Sequence, residues 1–486
     1  MSKIEKGLMI AKSIVKQPEL IGHGIKYVKE NGVRKLYTSL ASYRGSQIMV
    51  MPEDGQRRNY TGDIKFSILM PVYNVEIKWL EKAIQSIQNQ NYKNWELCIV
   101  DDCSTDEQVR KYLEGIHDKK IKILFAEENS GISGATNKCA SLASGDFYLL
   151  MDNDDEIASF ALDEFYRCII KYGPDIIYSD QDIIDMQGNH MNPLHKPDWS
   201  PDLFLSQMYI GHLVGFKKEL FEKVGGFRSE YNGSQDYDLL LRMALETNNV
   251  YHIPKILYSW RDIPSSTAAN PESKPYAQTA GLNAIQSYLD DKYGKDVATV
   301  SETKDLFVYD VRYPISEDVK VSIIIPTKDH VDLLEEAIES IEDKTDYRNY
   351  EIIILNNNSV ELETYEYFKN ITQKYSNVSV HDALFEFNWS KLNNYGISLS
   401  DADVYVFLNN DVKVISEQWL TRLAEKAMRD DVGVVGGLLL YEDDTIQHAG
   451  VVVGMGGWAE HVFKGMAPVH YGSPYISPMV TRLFPL

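Results

Sequence analysis

The stretch FSILMPVYN (66–74) decides the fold of this chain, because it returns as VSIIIPTKD (321–329). Each copy is an apolar, β-rich run interrupted by a proline, and the second begins 255 residues after the first. Two further pairs keep nearly the same offset: IVDDCS (99–104) with ILNNNS (354–359), and YLLMDND (148–154) with YVFLNND (405–411). One register across three segments predicts a tandem duplication.

Short apolar runs alternate with helical patterns inside each copy. In the segment 75–90, one helical face collects apolar side chains: Trp79, Leu80, Ala83, Ile84 and Ile87. Near-continuous strands between amphipathic helices are typical of a parallel sheet that is covered on both faces. We therefore predict a doubly wound α/β fold that binds ligands at the carboxyl ends of its strands.

The chain length of 486 residues exceeds that of one ordinary domain. The repeat divides it into a basic helical extension at 1–62, a first domain at 63–293 and a second domain at 320–486. The interval 294–319 has weak periodicity and contains Pro314, which predicts a linker.

Charge and composition exclude several classes of function. The formal net charge is −22, whereas proteins that bind nucleic acid need a basic surface. A phosphate group would be held locally, by backbone amides, a metal ion or a single arginine. The four cysteines show no CxxC spacing, and no apolar stretch approaches the roughly 18 residues of a membrane span. We expect a cytoplasmic protein that is neither exported nor membrane-spanning.

The first fifty residues are basic, with nine Lys and Arg against three Glu. Segments such as IEKGLMIAKSIVK (4–16) carry apolar residues at helical spacing, which predicts a pair of amphipathic helices. Such helices either form an extension with a solvated basic face or make peripheral contact with an anionic membrane. Both interpretations stay open.

Acidic clusters follow two predicted strands of the first copy. Asp101 and Asp102 come directly after LCIV, where carboxylates either cap the next helix or accept hydrogen bonds from a nucleotide. The triplet Asp152, Asn153 and Asp154 ends another strand. Its negative charge predicts Mg²⁺ or Mn²⁺, bound together with a sugar diphosphate.

Two other acidic pairs have structural alternatives. Asp155 and Glu156 either add to the negative charge that calls for a cation or are first-turn acids of the next helix. Asp236 and Asp238 stand at the start of a predicted helix after Gly233. They either cap that helix or bring a carboxylate to the sugar as a general base.

Trp260 and Arg261 predict either a phosphate clamp beside a stacking face, or a core tryptophan next to a surface arginine. The eleven histidines form no cluster with metal-ligand spacing. His195, His212 and His252 are therefore assigned structural or acceptor-side positions without a chemical role.

The motifs of the first copy, taken together and in order, resemble those of the family-two glycosyltransferases with the GT-A fold. The resemblance is nearest to the tandem-domain bacterial enzymes that build surface polysaccharides such as O-antigens. The motifs that carry it are PVYN (71–74), VDDCST (100–105), NSGISGATN (129–137), LLMDNDDE (149–156), KPDWSPDLFLSQMYIGHL (196–213), GGFR (225–228), NGSQDYDLLLR (232–242) and YSWR (258–261).

This resemblance implies an inverting transferase that moves a sugar from a nucleotide-diphosphate donor to a hydroxyl of a lipid-linked glycan. It implies a nucleotide pocket formed by Pro71, Tyr73, Asp101, Asp102, Gly131 and Asn137. Asp152 and Asp154 would be the metal-binding DxD motif, and Asp236 the catalytic base. Gln235 and Ser259 depart from the pattern, because many members have a glutamate and a histidine there. The loss of the histidine puts metal affinity in doubt.

The second copy departs further. Asn356, Asn357 and Asn409 replace acids and leave Asp411 at the metal position. The equivalent of Asp236 would fall beyond Leu486. We expect a second copy that is incomplete and lacks a base, either a truncated product or a nucleotide-binding scaffold.

Two rival classes of function predict other features. A non-catalytic module that binds sugar nucleotides or glycans would not need Asp236 and the metal carboxylates together. A nucleotidyltransferase would need a glycine-rich basic loop after the first strand, which PVYNVEIKW (71–79) lacks.

Overall fold

The computed structural model describes residues 62–263, 275–453 and 459–466. The predicted N-terminal helices and the segment after residue 466 lie outside the described residues, so the expectations about them stay predictions. No helix in the described ranges is long and apolar enough to cross a bilayer.

A nine-stranded sheet organises the first copy. Its strands are β1 (Phe66–Val72), β2 (Trp95–Asp101), β3 (Ile121–Phe125), β4 (Phe147–Leu150), β5 (Glu156–Ile157), β6 (Ile176–Ile184), β7 (His190–Leu194), β8 (Val214–Lys217) and β9 (Val250–Arg261). The order is β3-β2-β1-β4-β8-β6-β9-β5, and β7 pairs with β6. Strands β1 to β4 are parallel, whereas β8 is antiparallel to both β4 and β6.

Helices cover both faces of this sheet. They are α1 (Ile77–Gln88), α2 (Glu107–Glu114), α3 (Gly131–Leu142), α4 (Ala161–Tyr172), α5 (Pro201–Ser206), α6 (Lys218–Lys223), α7 (Gln235–Glu246) and α8 (Pro275–Tyr293). One buried cluster includes side chains of α1, α2 and α4, and the other includes side chains of α3, α7 and α8. The predicted doubly wound α/β fold is thus confirmed, with antiparallel strands added on the β8 side.

The interval 294–319 is not the open linker that its weak periodicity predicts. It contains a hairpin of β10 (Thr299–Glu302) and β11 (Tyr309–Arg312). Tyr309 is only 2% exposed, and it joins Val311 and Tyr313 in the cluster formed by α3, α7 and α8. Each strand has only four residues, which is too few for the alternation of buried and exposed side chains to be recognised in the sequence. The hairpin is held to the domain by its buried aromatic side chains.

The second copy repeats the first four-stranded unit. Its elements are β12 (Val321–Thr327), α9 (Val331–Lys344), β13 (Tyr350–Asn356), α10 (Leu362–Lys374), β14 (Val378–Asp382), α11 (Trp389–Ile397), β15 (Val404–Phe407) and α12 (Trp419–Ala427). The sheet order β14-β13-β12-β15 matches β3-β2-β1-β4. Two short antiparallel pairs follow, formed by β16 (Leu439–Leu440) with β17 (Ile446–His448), and by β18 (Val451–Val453) with β19 (Ala459–His461).

The duplication extends to polar contacts that the motifs do not include. At the amino ends of the first sheet, Glu96 accepts hydrogen bonds from Lys65 (2.5 Å) and Ser67 (2.7 Å). In the second sheet, Glu351 accepts a hydrogen bond from Ser322 (2.5 Å) and lies 3.1 Å from the ammonium of Lys320. The same set of Lys, Ser and Glu contacts therefore lies at the amino ends of both sheets.

Arginines dock the second copy on the first. Arg429, just after α12, lies 2.5 Å from Asp202 on α5 and places its guanidinium 4.7 Å from the ring centre of Tyr313. Arg312 on the hairpin pairs with buried Glu425 on α12 at 2.9 Å. Since Arg429 is about nine-tenths buried, this contact is part of the packed structure.

Candidate active site

The acidic triplet occupies the turn after β4, beside the end of β1. The side-chain amide of Asn153 donates to the carbonyl oxygen of Pro71 at 2.7 Å, which fixes the turn to β1. The backbone amide of Asp152 lies 3.3 Å from the hydroxyl of Tyr258. The side chains of Asp152 and Asp154 remain partly exposed. The turn thus presents two carboxylates at the carboxyl edge of the sheet.

The interpretation of Asp155 and Glu156 as first-turn acids of a helix is wrong. Glu156 begins β5, which pairs with β9, and α4 starts only at Ala161. The carboxylate of Asp155 is fully buried and accepts hydrogen bonds from the Tyr258 hydroxyl (2.5 Å) and the Arg261 amide (2.7 Å). Strand pairing with β9, a long-range contact, overrides the local helix signal.

The carboxylates of this turn repel one another. Burial, and after it the charge of Asp152, raises the pKa of Asp154 to about 6. Burial and the charges of Asp152 and Asp154 also hold the pKa of Asp155 well above its usual range. A cation near Asp152 and Asp154 would relieve this repulsion.

The donor set fits a hard divalent ion that the substrate helps to bind. No group of three or more potential ligands is preassembled in the described part of the chain. Mg²⁺ is typically held by one or two carboxylates plus substrate phosphates, and Asp152 with Asp154 can supply that number. The hydroxyl of Ser259 lies 3.4 Å from the ring of His190.

Arg261 does not form the exposed phosphate clamp considered above, nor is it a surface residue. Its side chain is fully buried. The guanidinium donates to the carbonyl oxygen of Asp154 at 2.7 Å, pairs with Glu156 and lies 4.4 Å from the ring centre of Trp79. Its Nη1 has no hydrogen-bond partner in the described structure. Arg261 therefore shapes the acidic turn from behind.

Asp236 reaches the same place from the first turn of α7. It lines one cavity with Pro71, Asp152 and His212. His212 Nε2 lies 3.5 Å from Asp152 Oδ2 and 3.9 Å from Asp236 Oδ2. Burial raises the pKa of Asp236 to about 6, an effect that His212 opposes and Asp152 reinforces. A carboxyl with this pKa is suited to accept a proton near neutral pH.

His212 is a residue of this site to which the sequence analysis gave no chemical role. Its ring stacks on Tyr258, with ring centres 5.1 Å apart. Its carbonyl oxygen accepts a hydrogen bond from the ammonium of Lys196 at 2.7 Å. Burial lowers the pKa of Lys196 to about 7. A lone histidine in a loop gives no periodic signal, although its neighbour Gly211 marks a turn.

Asp101 and Asp102 do not cap the next helix, because its N-cap is Asp106; both acids bond to loops instead. Asp101 Oδ1 accepts the Ser104 amide at 3.2 Å. Asp102 accepts the amide (2.9 Å) and the hydroxyl (2.8 Å) of Ser130. Both carboxylates are buried at the carboxyl end of β2. They fix the loops on either side of the strand end, where the nucleotide pocket is predicted.

The remaining predicted pocket residues are Tyr73, Gly131 and Asn137, and the contacts of Asn137 do not fit the predicted role. Tyr73 is half-exposed at the strand edge. Gly131 has a φ of +69°, and a Cβ there would meet the side chain of Asn232 at 2.9 Å, so the position requires glycine. Asn137 Nδ2 instead donates to the carbonyl oxygen of Phe227, and its Oδ1 accepts from the Phe227 amide, each at 2.9 Å. The predicted pocket role of Asn137 thus has no support in its contacts, which fasten α3 to the loop at Phe227.

The second copy has asparagines where the first has Asp101 and Asp102, at the same strand end. Asn356 Oδ1 accepts the Ser359 amide at 3.1 Å, as Asp101 does for Ser104. Asn357, however, donates to the carbonyl oxygens of Ala383 and Phe385, whereas its counterpart Asp102 accepts hydrogen bonds. The carboxyl end of β13 thus carries two amides where the carboxyl end of β2 carries two carboxylates.

Comparison with known proteins identifies the family. The profile described as Glycosyl transferase family 2 matches residues 67–225 and again residues 322–465. The chain belongs to this family. Each match begins in the first strand of one of the two sheets, and the pair confirms the predicted tandem arrangement.

Several curated relatives match this family-2 chain. An uncharacterized protein of Sinorhizobium fredii, y4gI, is 40% identical over 83% of this chain and 45% of its own length. The O-antigen biosynthesis protein RfbC of Myxococcus xanthus is 33% identical over 84% of this chain and 32% of its own length. The Escherichia coli UDP-Glc:alpha-D-GlcNAc-diphosphoundecaprenol beta-1,3-glucosyltransferase WfgD is 36% identical over 25% of this chain and 48% of its own length. The chain spans less than half the length of each.

Proposed function

We propose that the first domain is a metal-dependent, inverting glycosyltransferase that moves a sugar from a nucleoside-diphosphate donor to a glycan hydroxyl. One observation carries the proposal: Asp152, on the turn that also holds Asp154, and Asp236 line one cavity although 84 positions separate them in sequence. A binding module would not need a partly buried carboxyl facing the acidic turn. Membership of family 2 supports the same reaction class.

The residues divide the reaction between two sides of the cavity. Asp152 and Asp154 would hold Mg²⁺ or Mn²⁺, which when bound supplies charge neutralisation for the departing nucleoside diphosphate. Asp236 accepts the proton of the acceptor hydroxyl as its oxygen bonds to the anomeric carbon and the bond to the diphosphate breaks. One displacement from the face opposite the leaving group inverts that carbon, and no covalent intermediate is required.

The acceptor is proposed to be a lipid-linked glycan of a bacterial surface polysaccharide. The names of two relatives, one for O-antigen biosynthesis and one with a diphosphoundecaprenol acceptor, support this class. The basic segment 1–50, with nine Lys and Arg against three Glu, supports peripheral contact with the inner face of the cell membrane. The net charge of −22 speaks against nucleic acid as a partner.

Calorimetric titration of the full chain with UDP, dTDP and GDP, with and without Mn²⁺, tests the proposal. We expect metal-dependent binding of one nucleotide, and its loss in Asp154→Ala. Release of nucleotide from UDP-glucose, UDP-GlcNAc and dTDP-rhamnose is measured in parallel. Binding without turnover of any donor would favour the non-catalytic module, and absence of all nucleotide binding would refute the donor class.

A further inference from the structure

We propose that His212 is a catalytic residue that holds the attacking hydroxyl against Asp236. This inference rests on the proposed function and adds a residue to it. Nε2 of His212 is 3.9 Å from Asp236 Oδ2, which is too long for a direct hydrogen bond. The two atoms face the same cavity, so the gap between them is open to a ligand atom.

The gap has the dimensions of one oxygen atom. An oxygen placed about 2.8 Å from both atoms makes an angle of about 90° across this distance, which suits a hydroxyl that donates to one partner and accepts from the other. Asp236 is an acceptor when ionised, so it takes the hydroxyl hydrogen. Nε2–H of His212 then donates to a lone pair of the same oxygen.

Charge selects the kind of ligand. Asp152 and Asp236 each place a carboxylate oxygen within 4 Å of His212 Nε2 in the cavity wall, at 3.5 Å and 3.9 Å. Two carboxylates disfavour a phosphate or carboxylate ligand at this point. A neutral sugar hydroxyl, or water in its absence, meets both hydrogen-bonding demands and adds no charge. The place between His212 Nε2 and Asp236 thus suits the nucleophile, whereas the diphosphate belongs with the metal ion at Asp152 and Asp154.

The imidazole ring is held in place before any substrate arrives. It stacks on Tyr258 at an interplanar angle of 29°, and Tyr258 is fixed by its bond to Asp155. Lys196 is buried and donates to the carbonyl oxygen of His212. Nδ1 is buried and has no hydrogen-bond partner within the described ranges. With Nδ1 enclosed, Nε2 is the ring atom left to meet a ligand.

The test compares His212→Gln with His212→Leu. Glutamine places an N–H donor near the position of Nε2, whereas leucine fills similar space without one. With MnCl₂ and each of UDP-glucose, UDP-GlcNAc and dTDP-rhamnose as probes, nucleotide release to water is measured, because water can occupy the place of the hydroxyl. We expect His212→Leu to lower kcat at least about tenfold, the loss of roughly one hydrogen bond to the nucleophile. We expect His212→Gln to retain most activity.

Donor affinity and a matched histidine give the controls. The Kd for nucleotide, measured by calorimetry, is expected to change less than about twofold in both variants, because the ring contacts the nucleophile side. His195→Gln removes a histidine that is half-exposed and bonded to Asp180 outside the cavity, and it should leave kcat unchanged. Equal kcat in wild type and His212→Leu, or equal loss in the Gln and Leu variants, would overturn the assignment of His212. A wild-type chain that releases no nucleotide from any donor would overturn the proposed function itself.

Discussion

Tyr258 donates its hydroxyl hydrogen to the carboxylate of Asp155 across 2.5 Å. Both side chains are buried, and the ring of Tyr258 also stacks on His212. A single side chain therefore joins β9, the acidic turn after β4 and the loop before β8. The geometry of the cavity depends on this contact behind its wall.

Tyr258→Phe should loosen the acidic turn. It leaves the buried carboxyl of Asp155 with one hydrogen bond fewer, so we expect a loss of about 1–3 kcal/mol of stability. Urea unfolding measures the loss, and calorimetry should show weaker nucleotide binding. Tyr365→Phe removes a hydroxyl that donates to the Ser359 carbonyl from a half-exposed position. Equal losses of stability in the two variants would show that burial of the Tyr258 hydrogen bond does not determine its contribution.

Asp236 and Asp238 lie in one helical turn, but their substitution should have different effects, on activity and on stability respectively. Asp236→Asn keeps the shape but cannot accept the proton, so kcat should fall about 10²–10⁴-fold with little change in unfolding. Asp238 is buried and pairs with Arg228 and Arg242. Asp238→Asn should cost about 3 kcal/mol of stability, because it leaves those cations with a neutral partner. Turnover and urea unfolding of both variants separate the roles, and full activity in Asp236→Asn would exclude it as the base.

Glu96 makes the first domain sensitive to acid. Burial favours the neutral acid, but hydrogen bonds from Lys65, Ser144 and Ser67 outweigh it and lower the pKa of Glu96 to about 2, against 4.5 normally. Because the folded pKa is the lower one, the stabilisation is complete above pH 4.5 and is lost as pH falls towards 2.

Glu96→Gln should therefore lower stability by about 2 kcal/mol at pH 7 and by less at pH 3. Glu351→Gln is the matched change in the second domain, where the carboxyl pKa is also lowered. Urea unfolding at both pH values, followed by tryptophan fluorescence, measures the difference. A gap between wild type and Glu96→Gln that widens at pH 3 would contradict the sign of this prediction.

Arg429 should couple the unfolding of the two domains. Arg429→Met keeps most of the packing but removes the charge that faces Asp202 and Tyr313, with an expected loss of about 1–3 kcal/mol at the interface. Differential scanning calorimetry should then resolve two transitions that lie closer together in wild type. Lys374→Met, which breaks a half-exposed pair with Glu339, is the control and should leave the profile unchanged.

Much of the fold could be predicted because the repeat supplies the same evidence twice. Strands such as β1 and β12 are continuous apolar runs, and the helices between them show a clear period. The hairpin at 299–312 was missed because its strands have four residues each and gain their burial from α8. Its core contacts depend on distant elements, which local patterns do not encode.

The carboxylates of the cavity could be predicted from their places in the chain, since Asp152 and Asp154 follow a strand and Asp236 begins a helix. The contacts of two other residues could not be predicted, for a shared reason. Arg261 and Asn137 form long-range hydrogen bonds. Their partners, Asp154 and Phe227, lie about 90 or more positions away in the sequence. Neither burial nor partner choice at such a distance can be deduced from residue type. His212 was missed for the opposite reason, since a single polar residue in a loop has no pattern at all.

The hairpin that fills the side of the first domain also fixes where the chain can be cut. A recombinant fragment that stops at residue 293 would remove Tyr309, Val311 and Tyr313 from their cluster and leave the faces of α7 and α8 exposed to water. Such a fragment should aggregate even though it contains every proposed catalytic residue. A fragment that runs through Tyr313 keeps these side chains, and it is the shortest version of the first domain that we expect to purify as a monomer.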